Sequence, residues 1–162
     1  MTLTYQQVQT PTEDQNALLL LADPSQRLVA AYISKSHVYA ANDRSGLVGM
    51  LVLQPRSQQV VEIMNVVVTP PKQHQGYGRV LLMFAQQWAI DRSYRTVRIA
   101  TGTTSLVQLY LYQQCGFRVV AVERDYFTAN YSQPIVENGL VLQDRLVLEL
   151  PITLPQLPIN EQ

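Results

Sequence analysis

Glu62 and Asn65 stand inside VVEIMNVVV (60–68), a run otherwise made of aliphatic residues and methionine. A carboxylate and an amide in such a run need partners or a purpose, because burying either one unpaired is costly. Eleven residues after Glu62 begins QHQGYGR (73–79), where Gly76 and Gly78 flank a tyrosine just ahead of an apolar helical pattern. Glycines at a strand-to-helix junction permit positive φ and close backbone approach. They would expose a row of amide N–H groups at the positive end of a helix dipole, a site suited to phosphate or pyrophosphate. A plain tight turn with no ligand is the other reading. Two nucleotide cradles are excluded by spacing. Leu81 stands where Gly-x-Gly-x-x-Gly needs its third glycine, and Arg79-Val80-Leu81 does not supply the Gly-Lys-Ser/Thr of a P-loop.

Other reactive side chains are scarce. His37 and His74 are far apart and lack metal-ligand spacing, and Cys115 is the only cysteine, which excludes an intrachain disulfide and a thiolate metal cluster. His74 reads as an exposed loop residue and Cys115 as a small apolar one. Tyr110 and Tyr112 lie two residues apart in LVQLYLYQQC (106–115), about 200° around a helix, so their rings point to opposite sides. Ser105 and Gln108 precede Tyr112 by seven and four residues and share its face.

The elements that must carry these residues follow from local pattern. LTYQQVQ (3–9) alternates as a first strand. Thr10-Pro11-Thr12-Glu13 reads as a helix start with a hydroxyl cap, a proline in the first turn and Glu13 reaching back; Asp23-Pro24-Ser25-Gln26 repeats it. HVYAA and LVGMLVL flank the polar turn at Asn42–Gly46 and form a hairpin. VVEIMNVVV reads as a central strand covered on both faces. Leu81, Ala85, Trp88 and Ala89 then form a helical core stripe. TVRIAT (96–101) is a strand, 106–115 a helix, and FRVVAVE (117–123) and DRLVLEL (144–150) are two more strands. The order β-α-α-β-β-β-α-β-α-β-β predicts an α/β fold with a mixed sheet. One domain is expected over 1–150, with a proline-containing tail at 151–162.

Composition narrows the function classes. The chain has 162 residues, 47% hydrophobic and 15% charged, enough for a buried core. Twelve basic residues balance twelve acidic ones, which speaks against binding nucleic acid or anionic lipid through bulk charge. The run Leu18–Leu21 is far shorter than the ~20 apolar residues of a membrane span. With a single cysteine, the expectation is a soluble cytoplasmic protein.

Gln73-His74-Gln75-Gly76-Tyr77-Gly78 resembles Gln/Arg-x-x-Gly-x-Gly/Ala, the pyrophosphate-binding loop of the GCN5-related N-acetyltransferase (GNAT) superfamily. Leu111-Tyr112-Gln113-Gln114-Cys115-Gly116-Phe117 resembles that family's Leu-Tyr-x-Lys-x-Gly-Phe, and the order of elements agrees. The resemblance implies a central, mostly antiparallel, twisted mixed sheet of about seven strands with about four flanking helices. It also implies transfer of an acetyl group from acetyl-CoA to a primary amine of a small molecule or peptide, with no metal. By the same resemblance, main-chain groups of Val66, Val67 and Val68 would hold the pantetheine arm. The amides of Gln73, His74, Gln75, Gly76, Tyr77, Gly78 and Arg79 would hold the pyrophosphate, and Ser105 would touch the cofactor. Tyr112 matches a phenol that protonates, or hydrogen-bonds to, the leaving thiolate, and Glu62 matches a general base. Asn65 is an alternative polar group, which alternation places on the opposite strand face from Glu62.

The chain departs from the family's commonest pattern where asparagine and alanine would stand at Ser105 and Gln108. That departure keeps a second reading open, a non-catalytic acyl-CoA-binding or regulatory module of the same fold. The partners implied are an amine acceptor, no nucleic acid and no membrane, with a homodimer as an option. RDYFTANYSQPIVENG (124–139) is read either as a wall of the acceptor pocket or as a surface excursion.

Overall fold

The computed structural model describes residues 2–153. The chain begins β1 (Thr4–Val8), α1 (Glu13–Ala22), α2 (Gln26–Ile33), β2 (His37–Asp43), β3 (Gly46–Pro55) and β4 (Val60–Val68). A 3-10 turn at Pro70–Lys72 leads to α3 (Tyr77–Asp91), β5 (Thr96–Gly102), α4 (Leu106–Gln114) and β6 (Arg118–Glu123). It closes with α5 (Tyr126–Asn130), β7 (Val136–Glu137), β8 (Leu140–Val141) and β9 (Arg145–Pro151). Seven strands form one sheet in the order β1-β2-β3-β4-β5-β9-β6, and β7 and β8 form a separate ribbon. Only β4 and β5 pair in parallel; their neighbours pair antiparallel. The expected mixed α/β architecture is present. The short α5 and the β7–β8 ribbon, which together span 126–141, add to it.

The sheet is covered on both faces. Leu51 and Leu53 of β3 and Val61 and Ile63 of β4 pack with Leu82, Ala85, Trp88 and Ala89 of α3. On the other face Met50, Val52 and Val67 pack with Leu18 and Leu19 of α1 and Val29 and Tyr32 of α2. The near-continuous aliphatic character of β3 and β4 follows from this double burial. Trp88 Nε1 donates to Tyr39 Oη at 2.8 Å inside the α3-side core. That bond avoids the roughly 1–3 kcal/mol cost of a buried unpaired donor.

Two helix starts lie two residues later than expected. The cap of α1 is Thr12: its hydroxyl accepts from Gln15 N at 3.2 Å, and Gln15 Oε1 accepts from Thr12 N at 3.0 Å. This reciprocal pair satisfies two of the orphan N–H groups at the start of α1. Likewise Ser25 caps α2 by accepting from Leu28 N at 3.2 Å, which frees Asp23 for other partners. At the far end Pro151 pairs with Thr96 in β9, Ile152 N donates to Arg95 O at 2.8 Å, and the Ile152 side chain is buried in the core. Pro151 and Ile152 thus belong to sheet and core. The remainder of the expected tail, 154–162, lies outside the described residues. No helix among the described residues is long and apolar enough to cross a membrane.

Candidate active site

β4 and β5 pair only from Val60↔Thr96 to Ile63↔Ile99. β4 runs on to Val68 and β5 to Gly102 with no pairing between the continuations, so the two strands part there. The main-chain groups of Met64–Val68 that face β5 are therefore left without a strand partner. A cleft of about 460 Å³ opens at the divergence, lined by Met64, Asn65 and Val66 on one side and by Ile99–Gly102, Gln108 and Tyr112 on the other.

The glycine loop sits at the end of β4. Gln73 Nε2 donates to Val68 O and Gln75 Nε2 to Pro71 O, both at 3.0 Å, so the loop glutamines brace the main chain. His74 (φ 59°) and Gly76 (φ 90°) both take the left-handed conformation, and His74 is exposed as expected. Gly76 is the N-cap of α3 and no side chain caps that helix, whereas hydroxyls cap α1 and α2. The first amides of α3 are thus free for an anion. Gly78 is helical and serves a different need: a Cβ there would meet Leu111 Cδ2 of α4 at 3.1 Å. Nearby, the Lys72 ammonium binds the Asp43 carboxylate and, at 2.9 Å, the Ser45 hydroxyl. Lys72 holds the Asp43 carboxyl well below the usual range, and the Lys72 pKa is pushed up in return.

A bulge in β4 arranges the other wall. Val52 pairs with Asn65 and Leu53 with Ile63, so Met64 is an extra residue opposite no partner. Before it, Val61 and Ile63 face α3; after it, Val67 faces α1 and α2. One inserted residue turns the strand over, and Asn65 comes to the same face as Glu62. The opposite-face placement expected from simple alternation is thereby overturned. Glu62 is buried, with Oε1 3.9 Å from Arg56 Nε and 3.9 Å from Arg98 Nη1. Those separations exceed hydrogen-bond reach, so the carboxylate lies between two cations with its lone pairs uncommitted. Arg98 is itself held by Glu149 at 2.9 Å.

On α4, Tyr112 is 5% exposed and Tyr110 66%, the opposition that their two-residue spacing predicts. Burial pushes the Tyr112 phenol well above its ordinary value, so it remains protonated at neutral pH. Ser105, Gln108 and Tyr112 line the cleft together. The Ser105 hydroxyl donates to Glu137 of β7, and Asn138 Nδ2 donates to Thr104 O at 2.8 Å, which fastens the ribbon to the start of α4. Burial also raises the pKa of Cys115, the reverse of what a nucleophilic thiol needs.

The segment 124–139 walls the cleft with Tyr126, Phe127, Ile135 and Glu137. Its third ring, Tyr131, donates from Oη to Asp23 Oδ1 at 2.7 Å, and Tyr32 Oη donates to Asp23 Oδ2 at 3.2 Å. Asn65 Nδ2 donates in turn to Tyr32 Oη at 3.0 Å, which completes a chain from the bulge to α5. Burial raises the pKa of both Tyr32 and Tyr131. Arg145 lies 3.7 Å over the Tyr126 ring and bonds Glu123 at 2.9 Å. Sequence reasoning missed Tyr32, Asp23, Arg56 and Arg145 as cleft residues. Asn65 in an aliphatic run was the one local signal pointing towards them.

The parted strands, the uncapped helix N-terminus and the protonated phenol together offer main-chain groups and a proton donor to one extended ligand. Residues 5–117 match the Acetyltransferase (GNAT) family, and the chain belongs to that family. It is 41% identical over 135 residues to the uncharacterised N-acetyltransferase YvbK of Bacillus subtilis, covering 82% of this chain and 87% of that one. A GNAT family acetyltransferase from Elizabethkingia anophelis, solved with acetyl-CoA bound, superposes with a TM-score of 0.88 at 36% identity, covering 93% of this chain and 98% of that one. A Bacillus subtilis acetyltransferase in complex with CoA gives the same TM-score and identity over 94% of this chain and 100% of that one.

Proposed function

We propose that the protein transfers an acetyl group from acetyl-CoA to a primary amine of a small molecule or peptide, by direct attack of the amine on the thioester. The observation that carries this reading is the parting of β4 from β5 after Ile63, together with the uncapped start of α3. The residues present fit the cofactor. Main-chain groups of Val66–Val68 offer a strand edge to the pantetheine amides, and the amides of Gln73–Arg79 offer donors to the pyrophosphate. When bound, acetyl-CoA supplies the activated carbonyl and the thiolate leaving group. Glu62 takes the proton of the attacking nitrogen, directly or through a water. Tyr112, kept protonated by burial, donates to the departing sulfur. Ser105 and Gln108 line the cofactor side beside it.

Thiol release from acetyl-CoA across an amine panel tests the reading. Release that depends on an added amine supports it. Binding of acetyl-CoA without release on any amine would favour a binding module instead.

A further inference from the structure

Among the described residues, two buried side-chain polar atoms lack a hydrogen-bond partner, Asn65 Oδ1 and Arg145 Nε. Both residues line the same cleft. One is a neutral acceptor and the other a cationic donor. Such orphans are scarce in folded proteins, because each loses water without gaining a partner. Two of them around one cleft match a ligand that brings an N–H group and an oxygen acceptor together.

The orientation of Asn65 is fixed by its neighbours. Its Nδ2 donates at 3.0 Å to both Leu19 O and Tyr32 Oη. Flipping the amide would set its carbonyl against that of Leu19, so the unpartnered atom is the oxygen. Arg145 is fixed just as firmly: Nη2 bonds both Glu123 oxygens at 2.9 Å, and the guanidinium lies on Tyr126. Its Nε–H is the buried donor that these contacts leave without a partner. Arg56, with a side chain 44% exposed and no charged partner nearer than 3.9 Å, adds a second, loosely held cation to the lining.

We propose that the acceptor is an amine carrying a carboxylate, a free amino acid or a close small relative. Asn65 Oδ1 accepts an N–H of the acceptor amine, and Arg145 Nε, assisted by Arg56, donates to the carboxylate. The inference rests on the amine acetyltransferase reading above. In the transfer a nitrogen–carbon bond forms as the carbon–sulfur bond breaks. One amine proton passes to Glu62, and the sulfur takes the Tyr112 proton. The N–H that stays in the product amide is the one Asn65 holds.

The test uses the full-length protein and three matched pairs as probes: L-lysine and cadaverine, L-phenylalanine and phenethylamine, L-tyrosine and tyramine. The carboxylate-bearing member of a turned-over pair is expected to have a kcat/KM higher by about tenfold or more, since an unfilled polar site rejects a ligand lacking the group. Arg145→Lys should collapse that ratio towards unity. Asn65→Ala should raise the acceptor KM for both members while acetyl-CoA affinity is retained. Should either variant fail to fold, Arg145→Gln and Asn65→Ser replace them, and the wild-type ratio needs no variant at all. Equal or better turnover of the decarboxylated amines overturns the proposal, as does a preference that survives at Arg145→Lys. Binding of acetyl-CoA with no thiol release from any of the six probes overturns it too. Failure to bind acetyl-CoA would instead sink the acetyltransferase reading on which it rests.

Discussion

Around Val66–Val68 and Gln73–Gly76 the cleft offers main chain: an unpaired strand edge, a left-handed glycine and the free amides of α3. Around Asp23, Tyr32, Asn65, Tyr131 and Arg145 it offers side chains, joined by hydrogen bonds and set by packing. The first region depends on backbone conformation and tolerates most side-chain changes, except where a Cβ or a charge intrudes. The second depends on residue identity at every link. Mutations should therefore act as near all-or-none events on the loop side and as graded losses on the other.

Gly76→Glu is the harshest way to test the loop side. It forces a side chain into φ 90° and sets a negative charge at the anion site. Coenzyme A binding by calorimetry should be lost, and retention of wild-type affinity would remove the loop from the donor site. Tyr112→Phe follows, with turnover falling about 10²- to 10⁴-fold if the phenol is the proton donor. Cofactor affinity should change little by comparison; unaltered turnover would reduce Tyr112 to a packing residue. Asp23→Ala probes the side-chain half, because it strands the Tyr32 and Tyr131 hydroxyls and the Ser25 amide at once. Stability should fall by about 1–3 kcal/mol and the acceptor KM should rise, with acetyl-CoA affinity kept. A fall in cofactor affinity as large as the rise in acceptor KM would erase the distinction between the two halves.

Alkaline unfolding touches both halves. Burial raises the pKa of Tyr32, Tyr112 and Tyr131 above the ordinary phenol value of 10.0. Folding then favours the protonated form, so stability is intact below that pH and is lost as the unfolded chain begins to shed these protons above it. Thermal melts from pH 8 upward should stay level and then decline near pH 10; a flat profile beyond it would mean the phenols are not desolvated. The smallest effect belongs to Tyr110→Ser, on the exposed side of α4. It should shift stability by no more than about 0.5 kcal/mol and leave turnover alone, in contrast with Tyr112 two residues away.

The loop side was legible in the chain because glycine, proline and aliphatic runs report local conformation. Gly76 at the start of α3, the buried run at 60–68 and the opposition of Tyr110 to Tyr112 all follow from short-range rules. The side-chain half was not. Asp23 looked like a helix start until Ser25–Leu28 proved the better cap. The bulge at Met64 depends on which β3 residue each β4 residue faces, a property of two strands that neither shows alone. Residues 124–139 fold into α5 and the first strand of a ribbon whose anchors, Ser105 and Thr104, lie more than 30 residues away. Such contacts leave no periodic trace.

The extra residue in β4 works like a single inserted letter in a text read in twos. Before Met64 the odd-numbered residues, Val61 and Ile63, face the α3 core; after it the odd-numbered residues, Asn65 and Val67, face the opposite side. Excision of Met64 alone would restore strict alternation and leave Asn65 and Val67 on the face they already occupy, because Ile63 and Asn65 already point to opposite sides. Core and cleft are thus written on one strand in two numbering frames, joined by a single residue.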